Sequence, residues 1–458
     1  MKNGHIDLKE KIASSSKAGG KKILFANVPA DGHFNPLTAL AKHLQTTGYD
    51  VRWYSSSTYE ARVKKLQIPF YGFKKAFEVT GENIDSLFPE RAGIKSKIKK
   101  LNFDIVNFFT LRGPEYYTDI SEIYSTFPFD MVIADCAFSA IPMIKEKMNV
   151  PVISIGVMPL FQTSKDLPPS GLGLTPSYSL AGKIKQSFLR YFINKVLFKT
   201  SNKVMNKVLS SYNISNEGSG VFDIMAIKAD LILQSGSPGF EYYRSDLGKN
   251  VRFIGPLLPY KENKRSEQWF DNRLLKYQKI ILVTQGTLEK DTEKIIVPAL
   301  EAFKDTDTLV VATTGGSQTK ELRERFPQKN LVIEDYIPFD DIMPYASVFV
   351  SNGGYGGVML AMQYQLPMVV AGIHEGKNEI NARIGYFRLG INLNTETPAP
   401  AAIKLAAEKV MSNEVYRQNI IDLGKELAGY DPCKLCEQYV TELLGPETRN
   451  NRMTYILN

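Results

Sequence analysis

The stretch SNGGYGGVMLAMQYQLPMVVAGIHEGKNEIN, residues 351–381, decides how the rest of the chain is read. Its glycines Gly353, Gly354, Gly356 and Gly357 follow an apolar run at 347–350 and precede a helix-like segment at 358–364. Strand, glycines, helix is the order a phosphate-binding turn requires, because backbone without side chains lets an anion reach the free N–H groups of a helix start. A tight turn in an ordinary α/β unit carries similar glycines, so the next segment matters. Residues 366–371 read as a buried strand that runs into a polar loop, His374, Glu375, Gly376, Lys377, Asn378 and Glu379, then Asn381, Ala382 and Arg383. Ligands of an open parallel sheet sit beyond the carboxyl ends of its strands, so both loops face one crevice.

Working outward, a βα series starts at 279–287 and continues through strand-like runs at 309–312 and 331–333. A polar, proline-bearing stretch at 257–277 has linker composition. Before it lies a second series. Residues 22–26 form a short apolar strand, 28–35 (VPADGHFN) a loop, and Pro36 opens an amphipathic helix that ends near Gly48. Further strands are expected at 49–54, 129–135, 151–156, 231–234 and 251–256, with 58–128 helical in pattern with loops. Such βαβ order predicts parallel sheets covered by helices. The expected fold class is therefore α/β, with two doubly wound Rossmann-like domains facing across a cleft. The chain divides into a flexible tail at 1–20, a first domain at 21–256, the linker at 257–277, a second domain at 278–430 and a helical segment at 431–458.

Composition excludes several classes. A chain of 458 residues with 43% hydrophobic and 23% charged residues is globular, and too long for one core. Three cysteines make no disulfide framework and fit a reducing cytoplasm. Cys433 and Cys436 read as neighbours on a helix, since no second pair or histidine completes a zinc site. No segment has the apolar length of a membrane span. The net charge of +8 suits an anionic ligand, yet no nucleic-acid-binding module accompanies it.

Five short motifs, in order, carry a resemblance: GHFNP at 32–36, IGPL at 254–257, VTQGT at 283–287, DYIP at 335–338, and the glycine stretch ending in NAR. The chain resembles the family 1 nucleotide-sugar glycosyltransferases of GT-B fold, in particular the bacterial macrolide and natural-product branch. That resemblance implies inverting, metal-independent transfer of a hexose from a UDP-sugar, UDP-glucose first, to a hydroxyl of a lipophilic molecule such as a flavonoid, other polyphenol or macrolide. It implies no cofactor besides the nucleotide sugar as co-substrate, a cytoplasmic monomer or homodimer, and a C-terminal segment returning to the first domain. His33 falls at the family's base position, and imidazole is the side chain whose ordinary pKa suits a base near neutrality. Asp135, at a strand end, fits the partner that fixes its tautomer.

On the donor side the resemblance assigns Gly286 and Thr287 to the diphosphate, Tyr336 to stacking on the base and the Ile337 backbone to reading its edge. Asn352, Gly353, Gly354, Tyr355, Gly356 and Gly357 form the phosphate turn. Three departures stand out: Asn352 replaces a histidine, Leu360 replaces the glutamate that grips the ribose, and Glu375 to Asn378 replace an Asp-Gln pair. Glu375 is then expected at the sugar hydroxyls, Lys377 compensates at the phosphate, and Gln363 is a substitute for the ribose. These changes keep open a dTDP-sugar donor and a non-catalytic binder, and the shared two-domain fold keeps open a nucleotide-sugar epimerase. Asp305-Thr306-Asp307 has the spacing of a metal-binding DxD motif but reads as a solvated turn, so no metal is expected.

Between Asp166 and Glu217 there is no acidic residue, while Lys183, Lys185, Arg190, Lys195, Lys199, Lys203 and Lys207 all occur. Apolar residues recur there on two neighbouring helical lines, Ile184, Phe188, Phe192 and Val196, and Leu189, Ile193 and Leu197. Three roles fit this amphipathic helix: core packing with a basic outer side, a wall of the acceptor pocket through Phe188 and Phe192 beside Phe34, or weak contact with an anionic membrane.

Overall fold

The structure is a computed structural model that describes residues 20–79, 83–262, 268–286, 289–374 and 376–445. In the first half the strands are β1 (Lys22–Ala26), β2 (Asp50–Ser55), β3 (Phe70–Gly72), β4 (Met131–Asp135), β5 (Val152–Gly156), β6 (Leu231–Ser235) and β7 (Val251–Gly255). They pair in the order β3-β2-β1-β4-β5-β6-β7. The second sheet contains β8 (Lys279–Thr284), β9 (Thr308–Thr313), β10 (Leu331–Glu334), β11 (Val348–Ser351), β12 (Met368–Val370) and β13 (Gly390–Asn392), in the order β10-β9-β8-β11-β12-β13. Every named pairing is parallel. Continuous burial of β4, β5 and β9 follows, because helices cover both faces.

Six helices matter for the site: α1 (Asp31–Thr46), α2 (Leu180–Phe192), α3 (Lys199–Ser211), α4 (Tyr355–Gln363), α5 (Lys377–Tyr386) and α6 (Pro432–Leu443). The last packs on the first half. Cys436, Val440 and Leu444 are buried with α1 residues, His43 Nε2 lies 2.8 Å from Glu437, and Tyr49 bonds Thr441. Cys433 and Cys436 are indeed helix neighbours. The expected tail lies almost wholly outside the described residues.

Three local expectations need correction. The helix after β1 opens at Asp31, five residues before Pro36, so GHFNP is the first turns of a helix. Pro36 sits inside the helix and has no N–H to offer the Gly32 carbonyl four residues back. β3 was hidden in a stretch read as helical, since three residues carry too little alternation to register. The helical segment at 180–211 does not bury both of its apolar lines: Ile193 is buried with Leu197 packed beside it, while Ile184, Phe188, Phe192 and Val196 face outward.

Candidate active site

Each sheet has a point where strand order reverses; His33 and Asp135 lie at the first, and Gly286 and Gly353 at the second. In the first sheet the reversal lies between β1 and β4, the place where neighbouring connections leave on opposite faces and open a crevice. After β1 the chain passes through Asn27, whose side chain bonds the Val28 carbonyl and accepts from the Trp53 indole at 2.8 Å. The Ala30 carbonyl then receives the N–H groups of His33 and Phe34, which sets the first turn of α1. From that turn His33 Nδ1 reaches Asp135 Oδ1, at the end of β4, at 2.7 Å.

Asp135 is fully buried and satisfied by three donors: the His33 ring, the Val28 N–H at 2.8 Å and the Ala137 N–H at 2.8 Å. A carboxylate at Nδ1 places the proton there and leaves Nε2 as the basic atom of a ring that stays partly exposed. Cys136 Sγ belongs to the same cluster, all three ligand-type atoms lying within 4.8 Å of one another. Burial, with the Asp135 charge, pushes the Cys136 thiol up to about 12. The thiol is neutral at pH 7, and Asp135 already has three donors; proton handling suits this cluster better than metal ligation.

Phe34 does not line a pocket. Its side chain is buried between Trp53 and Tyr59, ring centroids at 4.9 and 4.5 Å, with the Arg62 guanidinium 4.6 Å from it. Being one residue from His33 on a helix turns it by about 100°, from crevice to core. Phe188 and Phe192 stack on each other at 6.4 Å and are both exposed on the outer side of α2.

The second reversal lies between β8 and β11, and there backbone takes the place of side chains. Gly286 follows β8 with φ of +78°, and Gly353 follows β11 with φ of +81°. A Cβ on Gly353 would fall 1.7 Å from Asn381 Oδ1, so only glycine fits. Asn381 is fully buried and donates to the Gly372 carbonyl at 2.9 Å, tying the glycine turn to the loop after β12. α4 begins next, with Val358 N–H bonding the Gly354 carbonyl; the N–H groups of Tyr355, Gly356 and Gly357 precede that first bond. A Cβ on Gly356 would meet nothing, which marks open space above the turn.

Asn352 departs from its expected role. Its amide donates to the Gln285 carbonyl and its oxygen accepts from Gly354 N–H, so the side chain braces the two turns instead of reaching outward. Tyr355 keeps its N–H in the turn, while its hydroxyl donates to the Ser235 carbonyl of the first half at 2.8 Å. Gln363 is the last residue of α4, one helical turn beyond Leu360. Leu360 is buried in the core of the second half. Thr287 and Glu375 lie outside the described residues.

Lys377 stands where positive charge is wanted. Its Cδ would be 3.2 Å from a Cβ on Gly372, and its charge acts on both Glu289 and Glu396. Burial alone would raise the Glu396 carboxyl, but N–H bonds from Ile373 and His374, with the charges of His374 and Lys377, hold it below the ordinary value. Tyr336, after β10, is exposed and tethered by its hydroxyl to the Gly315 carbonyl at 2.7 Å, while Ile337 is buried. The Asp305-Thr306-Asp307 turn precedes β9, at the opposite strand ends from both reversals, and Asp307 pairs with Lys279.

One functional feature escaped the sequence reading. Arg383, 1% exposed, pairs with Glu241 of the first half at 2.9 Å and with Glu379 at 3.2 Å, and lies 4.4 Å from the Tyr242 ring centre. Glu379 also accepts N–H bonds from Gly171 and Gly173, and Asn378 donates to the Gly171 carbonyl. These contacts clamp the segments that follow β5 and β6 against α5, joining the two halves. Arg383 was visible in NAR, but its partner 142 positions away was not.

Residues 298–440 match the family described as Erythromycin biosynthesis protein CIII-like, C-terminal domain. The chain is 30% identical over 413 residues to 4'-demethylrebeccamycin synthase of Lentzea aerocolonigenes, covering 90% of this chain and 97% of that one. It is 30% identical over 426 residues to UDP-glucosyltransferase 1 of Beauveria bassiana (strain ARSEF 2860), covering 88% and 91%. The solved glycotransferase of kitacinnamycin superposes with a TM-score of 0.71 at 16% identity, over 92% of this chain and 99% of that one. The chain belongs to the family 1 glycosyltransferases of GT-B fold, and it is an enzyme that transfers sugar.

Proposed function

We propose that the enzyme moves a hexose from a UDP-sugar, UDP-glucose first, to a hydroxyl of a lipophilic small molecule such as a polyphenol or macrolide, with inversion and without a metal. The observation that carries this reading is the His33–Asp135 pair at 2.7 Å on the strand reversal of the first sheet. The acceptor hydroxyl gives its proton to His33 Nε2 as its oxygen bonds the anomeric carbon. The bond from that carbon to the phosphate oxygen breaks, and its electron pair leaves with the diphosphate. Asp135 holds the ring and stabilises the imidazolium. The glycine turn, the start of α4 and the Lys377 charge supply stabilisation for the leaving diphosphate. Tyr336 offers a tethered aromatic face for the base, and the likeness to UDP-glucosyltransferase 1 of Beauveria bassiana (strain ARSEF 2860) favours UDP-glucose.

A panel of UDP- and dTDP-sugars against phenols, alcohols and macrolides, read by mass spectrometry with and without EDTA, tests the proposal. A product heavier by one hexose, unaffected by chelation and lost in His33→Ala, is expected. Donor conversion without any acceptor would point to an epimerase, and donor binding with no conversion to a binder. A second donor reading rests on Leu360, which is buried and cannot accept from ribose hydroxyls. A deoxyribose donor has one fewer hydroxyl to satisfy, so dTDP-sugars belong in the panel.

A further inference from the structure

α2, the wide helical turn Ile193–Leu197 and α3 form a helical rod on the surface of the first half. Its inner side is anchored. Gln186 is buried, accepts from Ser177 N–H and donates to the Asp166 carbonyl; Ile193, Ser201, Met205 and Leu209 are buried beneath it; Asn102 donates to the Leu197 carbonyl at 2.7 Å. The outer side is of another kind. Leu180, Ile184, Phe188, Tyr191, Phe192 and Val196 are all exposed, Leu180 by 78% and Phe188 by 66%. Five of them recur every fourth residue and so form one row, longer than the scattered apolar residues of an ordinary surface.

Charge flanks that row. Lys183, Lys185 and Lys195 lie beside it in sequence, and Lys199, Lys203 and Lys207 follow at every fourth residue on α3. Among the described residues none of Lys185, Lys195, Lys199, Lys203 and Lys207 forms an ion pair, and no carboxylate occurs in sequence between Asp166 and Glu217. A second copy of the chain would set lysines against lysines across such a face. We infer that this face seats the enzyme on an anionic lipid bilayer, its apolar row sunk among the acyl chains and its lysines reaching up to phosphate headgroups. The segment between β5 and α2 carries exposed Leu172, Leu174 and Tyr178 and is bonded to Glu379 through Gly171 and Gly173, so the lipid-facing surface runs on to the junction with the second half. The inference does not depend on which donor or acceptor the enzyme uses.

The test is co-sedimentation of the full chain with vesicles of phosphatidylcholine alone, or with roughly a third phosphatidylglycerol, at low and high salt. Binding to the anionic vesicles, weakened by salt, is expected. Changing Lys183, Lys195, Lys199 and Lys203 to Gln should lower partitioning at least ~100-fold, taking each lysine near the surface as roughly a fivefold factor. The variant Ile184→Ser, Tyr191→Ser, Val196→Ser should lower it at least ~10-fold. Both variants should keep the wild-type circular dichroism and the transfer rate to a water-soluble acceptor, which separates lost docking from lost folding. No binding by the wild type at low salt overturns the inference, and so do variants that bind like wild type. A concentration-dependent dimer in light scattering that the serine variant abolishes would assign the face to a second copy instead.

Discussion

The two strand reversals are built of different material. At the first, side chains set the chemistry: Asp135 is buried at a strand end, and His33 is carried to it on the first turn of a helix. At the second, backbone is presented: Gly286, Gly353 and the first amides of α4 line the turn, while Asn352 and Asn381 are turned inward to brace it. The contrast follows from what each must hold. A proton is moved by one atom of tuned basicity, whereas a diphosphate spreads its charge and is best met by many N–H dipoles. The first reversal should therefore be fragile to side-chain deletion, the second to any added side chain.

The largest expected effect tests the first half of that contrast. His33→Ala should lower the transfer rate by roughly 10²-fold or more with donor affinity nearly unchanged, since the base touches only the acceptor. A weakly acidic alcohol is the fair acceptor, because an acidic phenol needs less help. Asp135→Asn should cost roughly tenfold or more, and the double variant should be little worse than His33→Ala alone, because the two act as one unit. Additive losses would mean that Asp135 serves the fold and not the imidazole.

How much of this was legible beforehand follows the same divide. The glycines and strand runs announced two parallel sheets because parallel strands buried on both faces are written as unbroken apolar runs. His33 could be named because GHFNP carries the family resemblance, and Asp135 because a carboxylate ends an apolar strand run. Phe34 was misplaced because adjacency in sequence says nothing about which side of a helix turn is buried. The outward row at Ile184, Phe188 and Val196 was also unreadable, since periodicity identifies two apolar lines but not which one has a partner. The Glu241–Arg383–Glu379 clamp joins segments that only the folded chain brings together.

An added methyl group tests the other half of the contrast. Gly353→Ala places a Cβ against Asn381 Oδ1 in a backbone conformation with φ of +81°. Strain and displacement together should cost about 2 kcal/mol of stability. The more telling readout is calorimetry: donor binding should weaken while His33-dependent proton abstraction, measured at saturating donor, is retained. Gly356→Ala is the control, for its Cβ meets no protein atom. Loss of donor affinity there without loss of stability would mean that the open space above the turn is occupied by the nucleotide sugar. Unchanged donor affinity in both variants would remove the glycine turn from the donor site.

The smallest effect concerns the ribose, where neither reversal supplies a side chain. Leu360 is buried among apolar neighbours of the second half, and Gln363 lies at the far end of α4. A uridine donor would leave its 2′-hydroxyl to water, which costs little at an exposed edge and more if the ring is enclosed. UDP-glucose should therefore be preferred over dTDP-glucose by less than tenfold, about 1.4 kcal/mol, in direct competition for one acceptor. Replacing Leu360 by Glu should raise that preference by offering the ribose a carboxylate, provided the side chain clears the core. If dTDP-glucose wins by tenfold in the wild type, the donor is a thymidine sugar and Leu360 is part of its selection. If Leu360→Glu folds normally and changes nothing, the ribose lies away from α4, and the nucleotide is held by Tyr336 and the phosphate turn alone.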